Sequence, residues 1–473
     1  MSRVAILGGG LAGLAAAWEI HRASGAEAIV LEASDAFGGK LRSERPPGFV
    51  LEEGPDSFLV RKPAAVEICR ELGIEDELVG VNETGQGSAI FSGGRLHPIP
   101  PGLMMGLPTE VWPFLRSGLL SGGAKLRALG DLFLGRDAAA GDRPLGPFLA
   151  RRVGREVVSR IVEPLLSGIY AGDVQAMSAE ATFPQLLELE RREGSLLRGA
   201  RRLRRRTPRP SGERNPMFMT LRTGLGRLPD AICRALPAEW LQPNREVRSV
   251  RAVDGGYRIA LSDGAELSAD AVVVALPATA AAMSLQELAP RTALALFSIP
   301  YASLAVTAFA YSRHEVGRPL RGSGFLVPRD AGLHITACTY VVNKWPHESE
   351  GGILLRCYMG RANESPLGRS DEEILTAARE DLRRVLSITA EPGLQRVFRW
   401  PEGMPQYTVG HLGRIAEARA GLSEHPRVRL CGAAYDGVGI PDVIRQGREA
   451  AQSVLAALKS AEGAQREATT RKD

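Results

Sequence analysis

The sequence predicts a parallel α/β core joined to an α+β part, on three observations. The first is a βαβ unit over residues 4–32. It comprises the apolar run Val4, Ala5, Ile6, Leu7, the loop Gly8-Gly9-Gly10-Leu11-Ala12-Gly13, and a helix with Leu11, Leu14, Ala15 and Trp18 at helical spacing. The second is the fully apolar run Val272-Val273-Val274-Ala275, which suits a strand buried on both faces. The third is a strand feeding a glycine loop over residues 430–442, with a helix from about Val443. The pieces of this Rossmann-like domain are far apart in the chain, so it is discontinuous: residues 1–88, 215–279 and 425–462. Residues 89–214 read as a helical insertion, 280–424 as a mixed-sheet domain and 463–473 as a polar tail. At 473 residues the chain is too long for one core.

The glycine loop carries the first chemistry. Gly8, Gly10 and Gly13 form GxGxxG, in which glycines admit a pyrophosphate and the helix N-terminus offers unpaired N–H groups. Glu32, followed by Ala33, ends the second apolar run and is placed to accept hydrogen bonds from a ribose hydroxyl. Strand, loop, helix, strand and acid in register point to an adenine dinucleotide rather than to an ordinary glycine turn. The second pair Gly38-Gly39 and the cation Lys40 read as the added clamp of FAD-binding folds, with Lys40 neutralising the pyrophosphate. The plainer alternative is a surface turn with a solvated lysine.

Composition removes several function classes. A net charge of +5 is small for this length and does not suggest nucleic-acid binding. Cys69, Cys233, Cys338, Cys357 and Cys431 are scattered and form no CxxC, which argues against a disulfide framework or zinc site and fits a reducing cytoplasm. The seven histidines show no HxxxH or HExxH spacing, so no metal is expected. No signal peptide is visible. Residues 292–311 carry no charge, but Pro300 interrupts them. They read as a helix end, a turn and a buried strand rather than a membrane span.

Glu53-Gly54-Pro55-Asp56-Ser57-Phe58 reads as a rigid loop closing a strand. Together with the double-glycine loop and Gly-Gly-Lys, it resembles the oxygen-dependent porphyrinogen oxidases, flavoproteins of the amine oxidase and protoporphyrinogen oxidase superfamily. Thr84-Gly85-Gln86, residues 96–100 and Met105-Gly106-Leu107-Pro108-Thr109 resemble the Gram-positive-type branch, which oxidises coproporphyrinogen III. Residues 160–173 and 181–184 resemble cavity-lining segments of that family. Residues 335–339, 355–361, Lys344-Trp345-Pro346-His347, Phe398-Arg399-Trp400-Pro401 and residues 404–411 resemble the same branch, and period-two patterns mark the first three as strands. The resemblance runs from about residue 3 to about 458.

It implies one non-covalent FAD per chain, held by Gly8, Gly9, Gly10, Leu11, Ala12, Gly13, Glu32, Ala33 and Lys40. Gly54, Pro55, Asp56, Ser57, Val247, Trp400, Val438, Gly439 and Ile440 complete the implied cofactor set. The Val438–Ile440 segment would face the isoalloxazine from a helix N-terminus. The flavin carries the redox chemistry, so no catalytic side chain is nominated. No second GxGxxG lies in a βαβ context, so NADPH is not expected; dioxygen is the simplest acceptor to expect, with hydrogen peroxide as product, and another acceptor stays open. Four propionates on the substrate require cations: Lys62 is the first candidate, Arg61 and Lys344 are weaker. The arginine that holds a propionate in the protoporphyrinogen branch is replaced by Ser88 or a neighbour. Transient contact with neighbouring haem-pathway enzymes and at most peripheral membrane contact are expected. The alternatives are a protoporphyrinogen IX oxidase, an amine oxidase, a carotenoid desaturase and a non-catalytic flavin scaffold.

Four local expectations complete the reading. Residues 103–120 are expected to pack as a helix, with a channel wall or membrane-resting patch as the alternative. The Arg-rich stretch 191–214 is expected to be a solvated loop. Asp254-Gly255-Gly256 signals a hairpin. Residues from Lys459 onward are expected to be a structureless tail.

Overall fold

A computed structural model describes residues 2–104, 106–136, 141–206 and 216–470. Its first layer is a five-stranded parallel sheet in the order Leu241–Gln242, Ala26–Leu31, Ser2–Leu7, Ala271–Val274, Val428–Leu430. The central strands are buried on both faces, which is why they read as continuous apolar runs. Helices Leu11–Ala23 and Ile440–Thr470 pack together on one face. The other face is covered by the meander Val247–Val253, Gly256–Leu261 and Glu266–Ala269, and by helices Ala278–Leu285, Pro290–Phe297 and His411–Ala420. The hairpin turn is at Asp254-Gly255, as its residues require.

The second sheet is mixed and seven-stranded: Leu394–Pro405, Tyr301–Tyr311, Ile353–Met359, Ile335–Tyr340, Gly324–Leu326, Ala89–Ser92 and Arg95–Pro98. One face packs on helix Asp371–Leu386 through Phe309, Cys357 and Leu382. The opposite face meets Leu51 of the parallel-sheet domain through Val306, Ala308 and Phe398. The insertion has its own core around Phe148, Leu149, Ile161 and Val162. Residues 292–311 form the end of one helix, a turn and a buried strand, and no described helix is long and apolar enough to cross a membrane.

Several boundaries differ from the sequence reading, each for a packing reason. Residues 89–98 pair into the mixed sheet instead of the insertion. Helices between 278 and 297, and helix His411–Ala420, bury their apolar faces on the parallel sheet. Residues 103–120 are not one helix: the short strands Leu103–Met104 and Leu107–Pro108 turn about Gly106 before helix Val111–Arg116. The Arg-rich stretch is helical through Arg206, because Leu196, Leu197 and Ala200 bury one face against the insertion. Residues 207–215 lie outside the described residues. Lys344-Trp345-Pro346-His347 is not a strand but the end of helix Val341–Lys344 and a turn. The C-terminal residues continue helix Ile440–Thr470, consistent with their helix-favouring Ala, Gln, Glu and Arg content.

Candidate functional site

The glycine loop has the shape that a bound pyrophosphate needs. A Cβ on Gly13 would stand 2.0 Å from the Gly8 carbonyl oxygen, so only glycine allows this helix to sit on its strand. A Cβ on Gly10 would meet nothing within 4 Å, leaving that side of the backbone open. Helix Leu11–Ala23 starts with no side-chain cap and no acidic residue in its first turn, so its N–H groups face the opening with their partial positive charge. Gly38 closes over the loop, its N–H donating to Gly9 at 2.9 Å. The Glu32 carboxylate accepts from Gly9 N–H at 2.8 Å and from the Ser34 N–H and hydroxyl at 2.9 and 2.8 Å. Leu11 and Ala12 are buried in the first turn and Ala33 follows Glu32 at the rim, while Val247 begins the meander nearby.

Lys40 departs from its expected place. Its ammonium donates to the carbonyl of Gly403 on the mixed sheet, so its charge bridges the two domains. Burial pulls its pKa down to about 8, against the raising effect of Glu402.

Three side chains of the mixed-sheet domain grip the Gly54-Pro55-Asp56-Ser57 loop. Trp400 Nε1 donates to the Glu53 carbonyl at 2.8 Å. Arg356 donates to the Gly54 carbonyl at 2.6 Å. Lys344 donates to both Asp56 oxygens at 2.8 and 3.0 Å. Arg356 also stands 3.5 Å from Asp56 and is fully buried, as are Glu52 and Glu348. Burial alone would raise the Asp56 pKa, but Lys344 and Arg356 overcome it and hold the carboxyl at about 2. Burial raises Glu52 to about 7, opposed chiefly by the Leu225 N–H, and pushes Glu348 well above the carboxylate range. Lys344, considered above for a propionate, is therefore occupied by Asp56.

The register of the mixed sheet aligns one row of side chains on the face that meets helix Glu163–Tyr170. Ile90, Leu326, Ala337, Tyr358, Val306 and Phe398 form one row across six strands. Ile90 and Leu326 end the row in the insertion core, and Val306 and Phe398 end it in the interdomain core. Tyr358, between them, is only half-buried. Helix Glu163–Tyr170 crosses this face, where a Cβ on Gly168 would lie 3.5 Å from Leu326. Tyr358 and Thr339 share this face with their hydroxyls 3.5 Å apart, and Ile169 on the crossing helix is exposed.

Lys62 is exposed and pairs with Asp442 in the first turn of helix Ile440–Thr470. Val438, Gly439 and Ile440 lead into that helix. The loop before them is pinned by Tyr407, whose hydroxyl accepts from Gly437 N–H and donates to Ala433, each at 2.8 Å. Gln446 accepts from the N–H groups of Gly432 and Asp436, both at 3.3 Å. Arg61 is exposed. Arg356, Tyr358, Tyr407, Gln446 and Asp442 were not anticipated. The one available signal was Arg356, a lone charge in the apolar strand Ile353–Met359.

A family model described as flavin containing amine oxidoreductase matches residues 11–455. The chain belongs to that family. It is an oxidoreductase of flavin type, and the glycine cradle fits the family's cofactor. It is 40% identical to the coproporphyrinogen III oxidase of Bacillus subtilis (strain 168), over 97% of this chain and 98% of that one. Identity to the enzyme of the same name from Staphylococcus aureus is 33%, over 96% and 99%. The crystal structure of a provisionally named protoporphyrinogen oxidase from Exiguobacterium sp. 255-15 superposes with a TM-score of 0.86 at 34% identity, covering 96% of this chain and 99% of that one.

Proposed function

We propose that the chain is an FAD-dependent oxidase converting coproporphyrinogen III to coproporphyrin III in haem biosynthesis. The observation that carries the reading is the 40% identity to a coproporphyrinogen III oxidase along almost the whole of both chains. FAD bound at the glycine cradle would supply a two-electron acceptor, and dioxygen the terminal one, yielding hydrogen peroxide. Loss of six electrons and six protons from the porphyrinogen then matches reduction of three dioxygen molecules.

The chain's own residues bind and orient. Gly8–Gly13 and the Leu11–Ala23 helix end would hold the pyrophosphate and Glu32 a ribose hydroxyl, and the N-terminus of Ile440–Thr470 would favour negative charge on the reduced cofactor. Tyr358, Thr339 and Ile169 would exclude water around the macrocycle, and Lys62 would take a propionate. The cofactor would be held without a covalent link, because the final loop carries no cysteine and Cys431, on the segment before it, is buried.

Anaerobic mixing with coproporphyrinogen III tests the reading. Oxidised-flavin absorption is expected to bleach as porphyrin fluorescence appears. A flavin-loaded protein that stays yellow under those conditions contradicts it.

A further inference from the structure

We propose that Asp442 sets how tightly the site holds anionic substrate and product, by competing with a propionate for the ammonium of Lys62. This rests on the reading of Lys62 as a propionate ligand.

The Lys62 Nζ lies 2.7 and 2.6 Å from the two Asp442 oxygens. The Lys62 side chain is 52% exposed, whereas that of Asp442 is 12% exposed. An ion pair so open to water is weak and exchanges partners readily. The Asp442 carboxylate is seated over the last glycine loop, where a Cβ on Gly437 or Gly439 would lie 2.8 or 3.0 Å from it. Its charge also acts on the Tyr170 phenol, which burial first and Asp442 second raise to about 12. Tyr170 ends helix Glu163–Tyr170 and faces Tyr407 at 6.3 Å between ring centroids. Lys62, the exposed partner of the pair, is the one with room to turn toward a ligand.

A propionate must displace Asp442 from Lys62. This weakens the grip on a carboxylate-bearing ligand, and the re-forming Lys62–Asp442 pair favours release of product. Asp442→Asn keeps the shape of the side chain and removes the charge, so it frees Lys62.

The test is the dissociation constant of the product coproporphyrin III, read by fluorescence quenching in the flavin-loaded full chain. Asp442→Asn is expected to bind roughly fivefold tighter, in line with removing one exposed-pair competitor. Asp442→Ala is expected to change in the same direction. Lys62→Ala should bind more weakly, and Lys62→Ala/Asp442→Asn should match Lys62→Ala within about twofold. If Lys62→Ala weakens binding but neither Asp442 variant tightens it, the competition is absent and the Lys62 reading stands. If Asp442→Asn tightens binding equally without Lys62, Asp442 acts directly on the ligand and the proposal is wrong. If Lys62→Ala leaves binding unchanged, the underlying reading of Lys62 fails and this inference falls with it.

Discussion

Two lysine–aspartate pairs of nearly equal length do opposite things in this molecule. Lys344 meets Asp56 at 2.8 Å, and Lys62 meets Asp442 at 2.6 Å. The first pair is 17% and 9% exposed and shares its site with the fully buried Arg356, Glu52 and Glu348. The second has a lysine half in water. Distance does not separate them; burial does. In the dry cluster, removing one partner leaves a charge with nowhere to go. In the exposed pair, water replaces a lost partner at little cost. The buried pair therefore fixes the Gly54–Ser57 loop between the domains, and the exposed pair is free to exchange.

The largest effect that would break this contrast is on stability. Arg356→Met strips the buried cation from the Asp56 carboxylate and the donor from the Gly54 carbonyl and should cost about 3–5 kcal/mol, while Lys62→Ala should cost at most about 1 kcal/mol. Thermal unfolding of the two variants side by side checks this. Similar losses in both would erase the distinction.

The pH dependence sharpens it. Glu52 has a folded pKa of about 7, above the unfolded value of about 4.3. Its stabilising contribution is complete below the unfolded value and is lost as pH rises through 7. Glu348 is shifted in the same direction. Asp56, held at about 2, contributes above its unfolded value and loses that contribution only as pH falls through 2. Burial lowers the pKa of both His347 and His411, and they act below the window of interest. The melting midpoint should therefore fall as pH rises toward and through 7. Glu348→Gln should flatten the fall, and an unchanged slope would remove Glu348 from the account.

A smaller change probes the third grip on the loop. Trp400→Phe keeps the ring packing and deletes the hydrogen bond to Glu53. It should cost about 1 kcal/mol in thermal unfolding. A loss as large as that of Arg356→Met would show that the indole, not the guanidinium, anchors the loop.

What could be read from the sequence was local. Gly13 has to be glycine because its neighbour is Gly8, five residues away, so the cradle is written within one short stretch. The hairpin at Asp254-Gly255 and the break at Pro300 are local in the same way. The Arg356 contact with Gly54 spans 302 residues, and a lone arginine in an apolar strand does not say which carbonyl it will find. Helices Ala278–Leu285 and His411–Ala420 were assigned to the wrong domain because amphipathicity marks a buried face without naming what buries it. The arginine-rich helix was hidden because three small or apolar residues, Leu196, Leu197 and Ala200, carry its packing against many charges. Lys62 was reached through family resemblance; Asp442, its partner across 380 residues, was visible only in the fold.

The substrate is tested most directly by kcat/KM for coproporphyrinogen III and protoporphyrinogen IX on the same flavin-loaded preparation, followed by porphyrin fluorescence. The account predicts faster use of coproporphyrinogen III, whose two additional propionates give exposed cations more to hold. A kcat/KM for protoporphyrinogen IX equal to or above that for coproporphyrinogen III would contradict it.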